Sequence, residues 1–340
     1  MSNIGEFVVE CGVLTQYNGK SENLIIPDNV ESIDDFVFLQ HNEIKNVFIS
    51  SSLTLIESYT FFGFDGLDSI VVDEKNPVYY SVDNCVIEKA TKKLVLGCNN
   101  SIIPSDGSVI SIADNAFNYQ NKIKNLTLPC TIEKIGNFSF SGCESLETVF
   151  IPSSVASIGR FAFSDCNKLS KIEVDSKNPY FYSKDNCVID KKENALIFGC
   201  NKSIIPKNEL RYIEHGAFSE CFEIQELIIP SSIRAVGNSA FFKALQLERV
   251  VIEEGVLSLC DRCFMNCYNL ESVTIPNSLE IIGESTFEGC ESLKRIFIPE
   301  TVYSIGKDAF KDCPELVIEA EDDSYAQDYA IKNEIKLEIK

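Results

Sequence analysis

The sequence is short of positive charge. Thirty Lys and Arg residues stand against 51 Asp and Glu, a formal net charge of −21 with a pI near 4.5. A surface this acidic repels phosphate backbones and anionic headgroups, so nucleic-acid and membrane-surface binding are disfavoured. No apolar run approaches the ~20 residues of a transmembrane helix, so membrane insertion is not expected. Histidine is scarce too: His41 and His215 are the only two, and neither has a nucleophile beside it in a recognisable motif. G-x-G-x-x-G, G-x-x-x-x-G-K-[ST] and H-E-x-x-H are all missing, which leaves no motif-level support for nucleotide or zinc-peptidase chemistry. The many carboxylates read as a solvated face. The chain therefore reads as non-enzymatic, with no catalytic residues and no cofactor. The start, MSNIGEFVVECG, lacks a basic stretch followed by an apolar one, and the end, KNEIKLEIK, carries no anchor or sorting signal. Taken as complete, the chain is expected in the cytoplasm.

What is present is a repeat. The chain has 340 residues, 45% of them apolar, enough for two ordinary domains or one extended one. The stretch TVFIPSSVASIGRFAFSDCNKLS (148–170) recurs from residues 125, 226, 272 and 295, and looser copies begin at 23, 46 and 249. One column is always phenylalanine: Phe38, Phe61, Phe117, Phe140, Phe163, Phe218, Phe241, Phe264, Phe287 and Phe310. Another is aliphatic throughout, from Ile33 to Ile305. Two longer repeats, 69–101 and 171–203, interrupt the series, and their matching sequences point to duplication of a block.

In each repeat L-x-x-V-x-I-P alternates apolar and polar residues, as a strand with one buried face does. Proline ends the ladder. The stretch V-x-x-I-G-x-x-A-F-x-x-C-x-x-L brings the chain back with apolar residues inside, and Gly marks a turn in several copies. One coil cannot bury its own apolar face, but stacked coils can, each Phe and Ile lying on its equivalent. The expected fold is an α/β-type solenoid of 23-residue repeats dominated by β and irregular coils, with the strands side by side in one parallel sheet. Residues 1–22 read as an N-terminal cap, 23–317 as the solenoid and 318–340 as a C-terminal cap. In the last segment Ser324 is placed to cap a short helix, with Gln327 three residues on.

The pattern I-P-x-x-V-x-x-I-G-x-x-A-F-x-x-C-x-x-L resembles the BspA-like (Treponema pallidum-type) leucine-rich repeat family over nearly the whole chain. The long repeats, V-D-x-K-N-P-x-x-Y-S-x-D-N-C-V-I, are similar to the insert-bearing repeats of its bacterial members. The resemblance implies a right-handed superhelix with a parallel sheet. It also implies an adhesin-like role at the cell surface, with a host or cell-surface protein or glycan as ligand. A cytoplasmic interaction scaffold is the alternative that the termini favour.

CDRCFMNC (260–267) holds three cysteines in eight residues. In the repeat, Cys260 takes the glycine position, Cys263 the small residue before the core Phe, and Cys267 the regular cysteine column. That column holds His41, Phe64, Gln120 or Ala244 in other copies, and a metal site would not accept Phe or Ala. Packed reduced thiols are expected, and no metal. Cys85 with Cys98, and Cys187 with Cys200, sit at the ends of predicted hairpins, where a cross-strand disulfide is the alternative to free thiols.

Two features offer contact surfaces. The outward column of the strands includes Phe48, Phe150, Ile228, Val251 and Phe297 among Ile25, Val71, Thr127, Glu173 and Thr274, with mixed charge beside it at Lys45, Glu147, Arg249, Glu271 and Arg295. In the long repeats, Tyr79 and Phe181 are expected to pack inward, and alternation turns Tyr80, Tyr180 and Tyr182 outward. Exposed tyrosines are common interface anchors.

Overall fold

A computed structural model describes residues 5–62, 64 and 66–340. The chain divides into two compact units, Met1–Lys168 with Asp175–Asn178, and Leu169–Val174 with Pro179–Lys340. Each is a β-solenoid built mostly from parallel strands.

The N-terminal unit opens with an antiparallel hairpin, Phe7–Glu10 against Val13–Tyr17, whose second strand pairs in parallel with Ser32–Ile33. Strands Asn23–Ile25, Asn46–Ile49 and Ser69–Val72 then pair in parallel, each residue opposite its equivalent in the next repeat. Asn125–Thr127 and Thr148–Ile151 pair the same way. Besides this expected ladder there is a second one, made of two-residue strands that follow the prolines. Ser111–Ile112, Lys134–Ile135 and Ser157–Ile158 form it, and the long repeat feeds it through a three-stranded antiparallel meander, Tyr79–Val82, Cys85–Glu88 and Lys93–Leu96.

The C-terminal unit repeats the plan. Its meander, Phe181–Lys184, Cys187–Asp190 and Ala195–Phe198, leads into a short-strand ladder that runs to Ser304–Ile305. Glu226–Ile229, Arg249–Ile252 and Ser272–Thr274 form a long-strand ladder, and Arg295–Ile298 pairs with Val317–Ala320. The helix Tyr325–Lys332 follows. The Ser324 hydroxyl accepts from the Gln327 N–H at 3.2 Å, and the Gln327 side chain accepts from the Asp323 N–H at 2.6 Å, so two free amides at the helix start are satisfied. Lys336–Ile339 then pairs with Val317–Ala320.

The phenylalanine column is the spine of the core. All ten rings are buried. Successive rings lie nearly parallel, with centroids 5.0 Å apart for Phe117 and Phe140, and 5.3 Å for Phe241 and Phe264. The ring of Tyr329, from the C-terminal helix, meets the edge of Phe310 at 6.1 Å and finishes the stack. In the aliphatic column Ile56 and Ile158 are half-buried; both belong to the repeat just before a long one.

The glycines of the I-G column are held by close approach rather than by a turn. A Cβ on Gly283 would stand 2.6 Å from the backbone carbon of Cys260 in the coil before, and none of this column has a positive φ. The left-handed residues lie two positions later: Phe138 (φ 52), Phe161 (φ 56), Ser239 (φ 54), Ser285 (φ 52) and Asp308 (φ 56). In the long repeats, Gly97 makes room for the core: a Cβ there would fall 2.0 Å from the Phe117 ring.

Candidate interaction surface

Parallel pairing in exact 23-residue register sets the outward strand residues in rows. In the N-terminal unit Ile25, Phe48 and Val71 are direct neighbours, as are Thr127 and Phe150. In the C-terminal unit Ile228, Val251 and Thr274 form one row, while Phe297 faces Glu319. Phe48, Phe150, Val251 and Phe297 are half-buried; Ile228 is 48% exposed. Beside the column, Arg295 holds Glu319 at 2.6 Å and also bonds Glu338, so this charge is engaged within the chain.

Two residues of the same column escape a simple count of repeats. The S-I-I-P stretches that close the long repeats correspond to the V-F-I-P of an ordinary strand, which puts Ile102 and Ile204 in the outward position. They are 69% and 70% exposed. Ile204 and Ile228 line one hollow of about 200 Å³, floored by Ile205, Phe218 and Leu227 and rimmed by Lys207. Aligning the I-I-P tripeptides rather than the residue spacing is the sequence signal for these positions.

The tyrosines divide. Tyr79 and Phe181 are buried, and the Tyr79 hydroxyl accepts from the Ile56 N–H at 3.1 Å. Tyr180 is exposed, but Tyr80 is half-buried and Tyr182 packs against the core of its unit, where burial raises its phenol above the usual range. Of the three expected to turn outward, Tyr180 precedes the meander strand, whereas Tyr80 and Tyr182 lie within theirs, opposite the buried Ile87 and Ile189. Asn76, at the start of this motif, is buried as a hydrogen-bonding node. Its amide donates to the carbonyls of Ser50 and Leu53 at 2.8 Å each, and its oxygen accepts from the N–H groups of Val78 and Tyr79.

All fourteen cysteines are free, nine of them buried. Five of the six in the regular column, all but Cys221, behave alike. Cys143, Cys166, Cys267, Cys290 and Cys313 each donate a thiol hydrogen bond, at 3.1–3.3 Å, to the carbonyl of the core Phe one coil back. His41 and Gln120 reach backbone carbonyls from the same column, at Tyr17 (3.1 Å) and Phe64 (2.6 Å). Burial pushes the thiols up, to about 12 for Cys143 and Cys267, the opposite of what a thiolate ligand or nucleophile needs. Among the described residues no group of three His, Cys, Asp or Glu side chains is placed to hold a metal. His215 caps a coil, its Nδ1 accepting from the Asn238 N–H at 2.9 Å. Among the described residues no helix is long and apolar enough to cross a membrane.

Comparison with known proteins agrees with this geometry. The family model for the BspA type leucine rich repeat region matches residues 13–92, 90–187 and 194–317, in six copies. A leucine rich cell surface protein from Faecalibacterium prausnitzii is similar in structure, at 25% identity and a TM-score of 0.59, over 96% of this chain and 95% of that one. The pneumococcal vaccine antigen PcpA aligns over 98% of this chain and 95% of its own, at 16% identity and a TM-score of 0.49. No curated protein matches the chain in sequence.

Proposed function

The chain belongs to the BspA-type leucine-rich repeat family, and from that membership we propose that it is a non-enzymatic interaction module that takes a protein ligand on its strand face. The observation that carries the proposal is the outward column itself. It is apolar at most stations, and in the C-terminal unit it leads into the hollow between Ile204 and Ile228. A recess of this kind seats one anchoring side chain of a partner, which is how interfaces concentrate their energy. Val251 and Phe297 extend the face within the C-terminal unit, where Tyr180 adds an aromatic anchor with Tyr182 beside it in a supporting place; Phe48 and Phe150, with Tyr80, offer a face of the same kind in the N-terminal unit. A glycan is the other ligand that aromatic side chains of this kind can hold. Net acidity speeds association with partners that carry basic patches.

The likeness to a cell surface protein supports an adhesin-like role. The nine buried free thiols support a second reading, a scaffold in a reducing compartment. Fractionation of the source cells with an antibody separates the two. The binding site is tested with Ile204→Ser/Ile228→Ser and Phe150→Ser/Phe297→Ser, each checked for native circular dichroism. Ligands captured by the wild-type chain from surface or lysate fractions should bind one pair at least about tenfold more weakly, the scale of one lost anchor. Unchanged affinity for both pairs would place the site elsewhere.

A further inference from the structure

The turns that follow the short strands in the N-terminal unit carry aromatic side chains outside the core. Phe36 and Tyr59 are 45% and 38% exposed, and Phe62 and Tyr119 are half-buried. Their rings form one connected cluster, with centroids 5.1 Å apart for Phe36 and Tyr59, 5.7 Å for Phe36 and Phe62, 5.8 Å for Tyr59 and Phe62, and 5.7 Å for Phe62 and Tyr119. The last three meet at 86°, 64° and 84°. Edge-to-face packing of this sort leaves ring faces available to a ligand.

The fold does not ask for these residues. Phe36 sits at φ 62 and Tyr119 at φ 59, a region unfavourable to bulky side chains. The position of Phe36 is filled by Asn115, Gly216, Ser239, Ser285 and Asp308 in other coils, and by Phe138, Phe161 and Arg262 in three more, so the backbone takes this conformation whatever the side chain. Three carboxylates share the same turns. Asp34, Asp35 and Glu57 are exposed, and among the described residues none has a basic partner.

Aromatic faces attract cations, and carboxylates strengthen hydrogen bonds to them. A guanidinium group satisfies both at once, stacking its plane on a ring while its N–H groups reach carboxylate oxygens. A purely apolar partner would instead bury three unpaired charges. We propose that this turn face docks an arginine-bearing cationic segment of a partner protein. It shares no residue with the strand-face column, so its test is independent of the reading above.

The test is fluorescence anisotropy of the full chain with a labelled arginine–glycine repeat peptide, and with a labelled neutral hexasaccharide as the comparison. The decisive variant, Phe36→Asn/Tyr59→Asn, leaves net charge unchanged. Asn suits the left-handed position, so folding should survive. Wild type should bind the peptide, and this variant at least about fivefold more weakly, as expected for two exposed cation–π contacts. Asp34→Asn/Asp35→Asn/Glu57→Gln should weaken binding and flatten its salt dependence. Tyr303→Asn, an exposed tyrosine of the other unit, should change nothing. Hydrogen exchange on the wild-type chain gives a readout that needs no variant: the peptide should protect residues 34–39 and 57–62. Equal affinity of wild type and Phe36→Asn/Tyr59→Asn would mean that diffuse acidity alone attracts the peptide, and the proposal would be overturned. It would also be overturned by no binding, by protection elsewhere, or by preference for the hexasaccharide.

Discussion

Replacing Phe264 by alanine should reveal how far the ring stack carries stability. Phe264 is fully buried between Phe241, 5.3 Å away, and Phe287, 5.6 Å away, each 7° from parallel. Truncating a core phenylalanine costs about 3–5 kcal/mol through lost transfer energy and the cavity left behind. Each aromatic pair adds about 0.5–1.5 kcal/mol beyond area, and Phe264 has two, which places it toward ~4–5 kcal/mol. The coils around it have little freedom to collapse into the cavity, because the Phe264 N–H bonds the Thr286 carbonyl at 2.9 Å and its carbonyl accepts the Cys290 thiol. The assay is urea unfolding followed by far-ultraviolet circular dichroism, with the slope checked against wild type, since solenoids can lose cooperativity when one coil is weakened. A double-mutant cycle with Phe287→Ala should give a coupling of about 0.5–1.5 kcal/mol. A loss below about 1 kcal/mol for Phe264→Ala would refute the view that the column is the core.

Gly283→Ala should destabilise by about 1–3 kcal/mol in the same assay, because the new methyl group meets backbone rather than a movable side chain; a neutral result would mean that the coils are less tightly seated than described. For the cysteines, burial raises Cys85, Cys143, Cys187, Cys267 and Cys313 to about 12 in the folded chain, against roughly 8.5 for a free thiol. A folded value above the unfolded one contributes stability that is whole below the unfolded value and lost as pH rises through the folded one. In reductant, Tm should therefore fall from about pH 8.5 upward, and more gently in Cys143→Ala; identical pH profiles would show that this thiol takes no part.

The coils are legible in the sequence because their signals recur: a phenylalanine every coil and alternation ending in Pro are hard to arrange on any other fold. The second ladder is not legible, since two residues are too few to show alternation. The cysteine column reads as a small apolar slot, and its size and burial fit that reading. Its hydrogen bonds do not show, although Cys, His41 and Gln120 share the ability to donate, and that shared chemistry is the available clue. Gly283 and its equivalents look like turn residues, but their φ values are ordinary, and what selects them is backbone contact between coils. Ile102 and Ile204 are hidden because the long repeats shift the count, and Phe36 because turn rules reserve the left-handed region for Gly, Asn and Asp.

These differences share a physical origin that bears on function. Columns facing inward must match the coil on either side, so the phenylalanine stack and the thiol-to-carbonyl bonds recur in both units. Columns facing outward meet no such demand. The left-handed turn position shows this directly: its φ stays between 52° and 67° at Phe36, Phe138, Phe161, Gly216, Ser239, Ser285 and Asp308 alike, so one backbone shape is served by very different side chains. At these positions the aromatic choices all lie in the N-terminal unit, together with Asn115, and the C-terminal unit carries Gly, Ser, Arg or Asp. Where the backbone is indifferent, the residue reflects what the surface meets, and the costlier choice is the more telling. Asn in place of Phe36 should raise Tm, or at least leave it unchanged, because it relieves the turn. A lower Tm would show that the ring cluster helps hold the coils together, and the inference from strain to binding would then lose its first step.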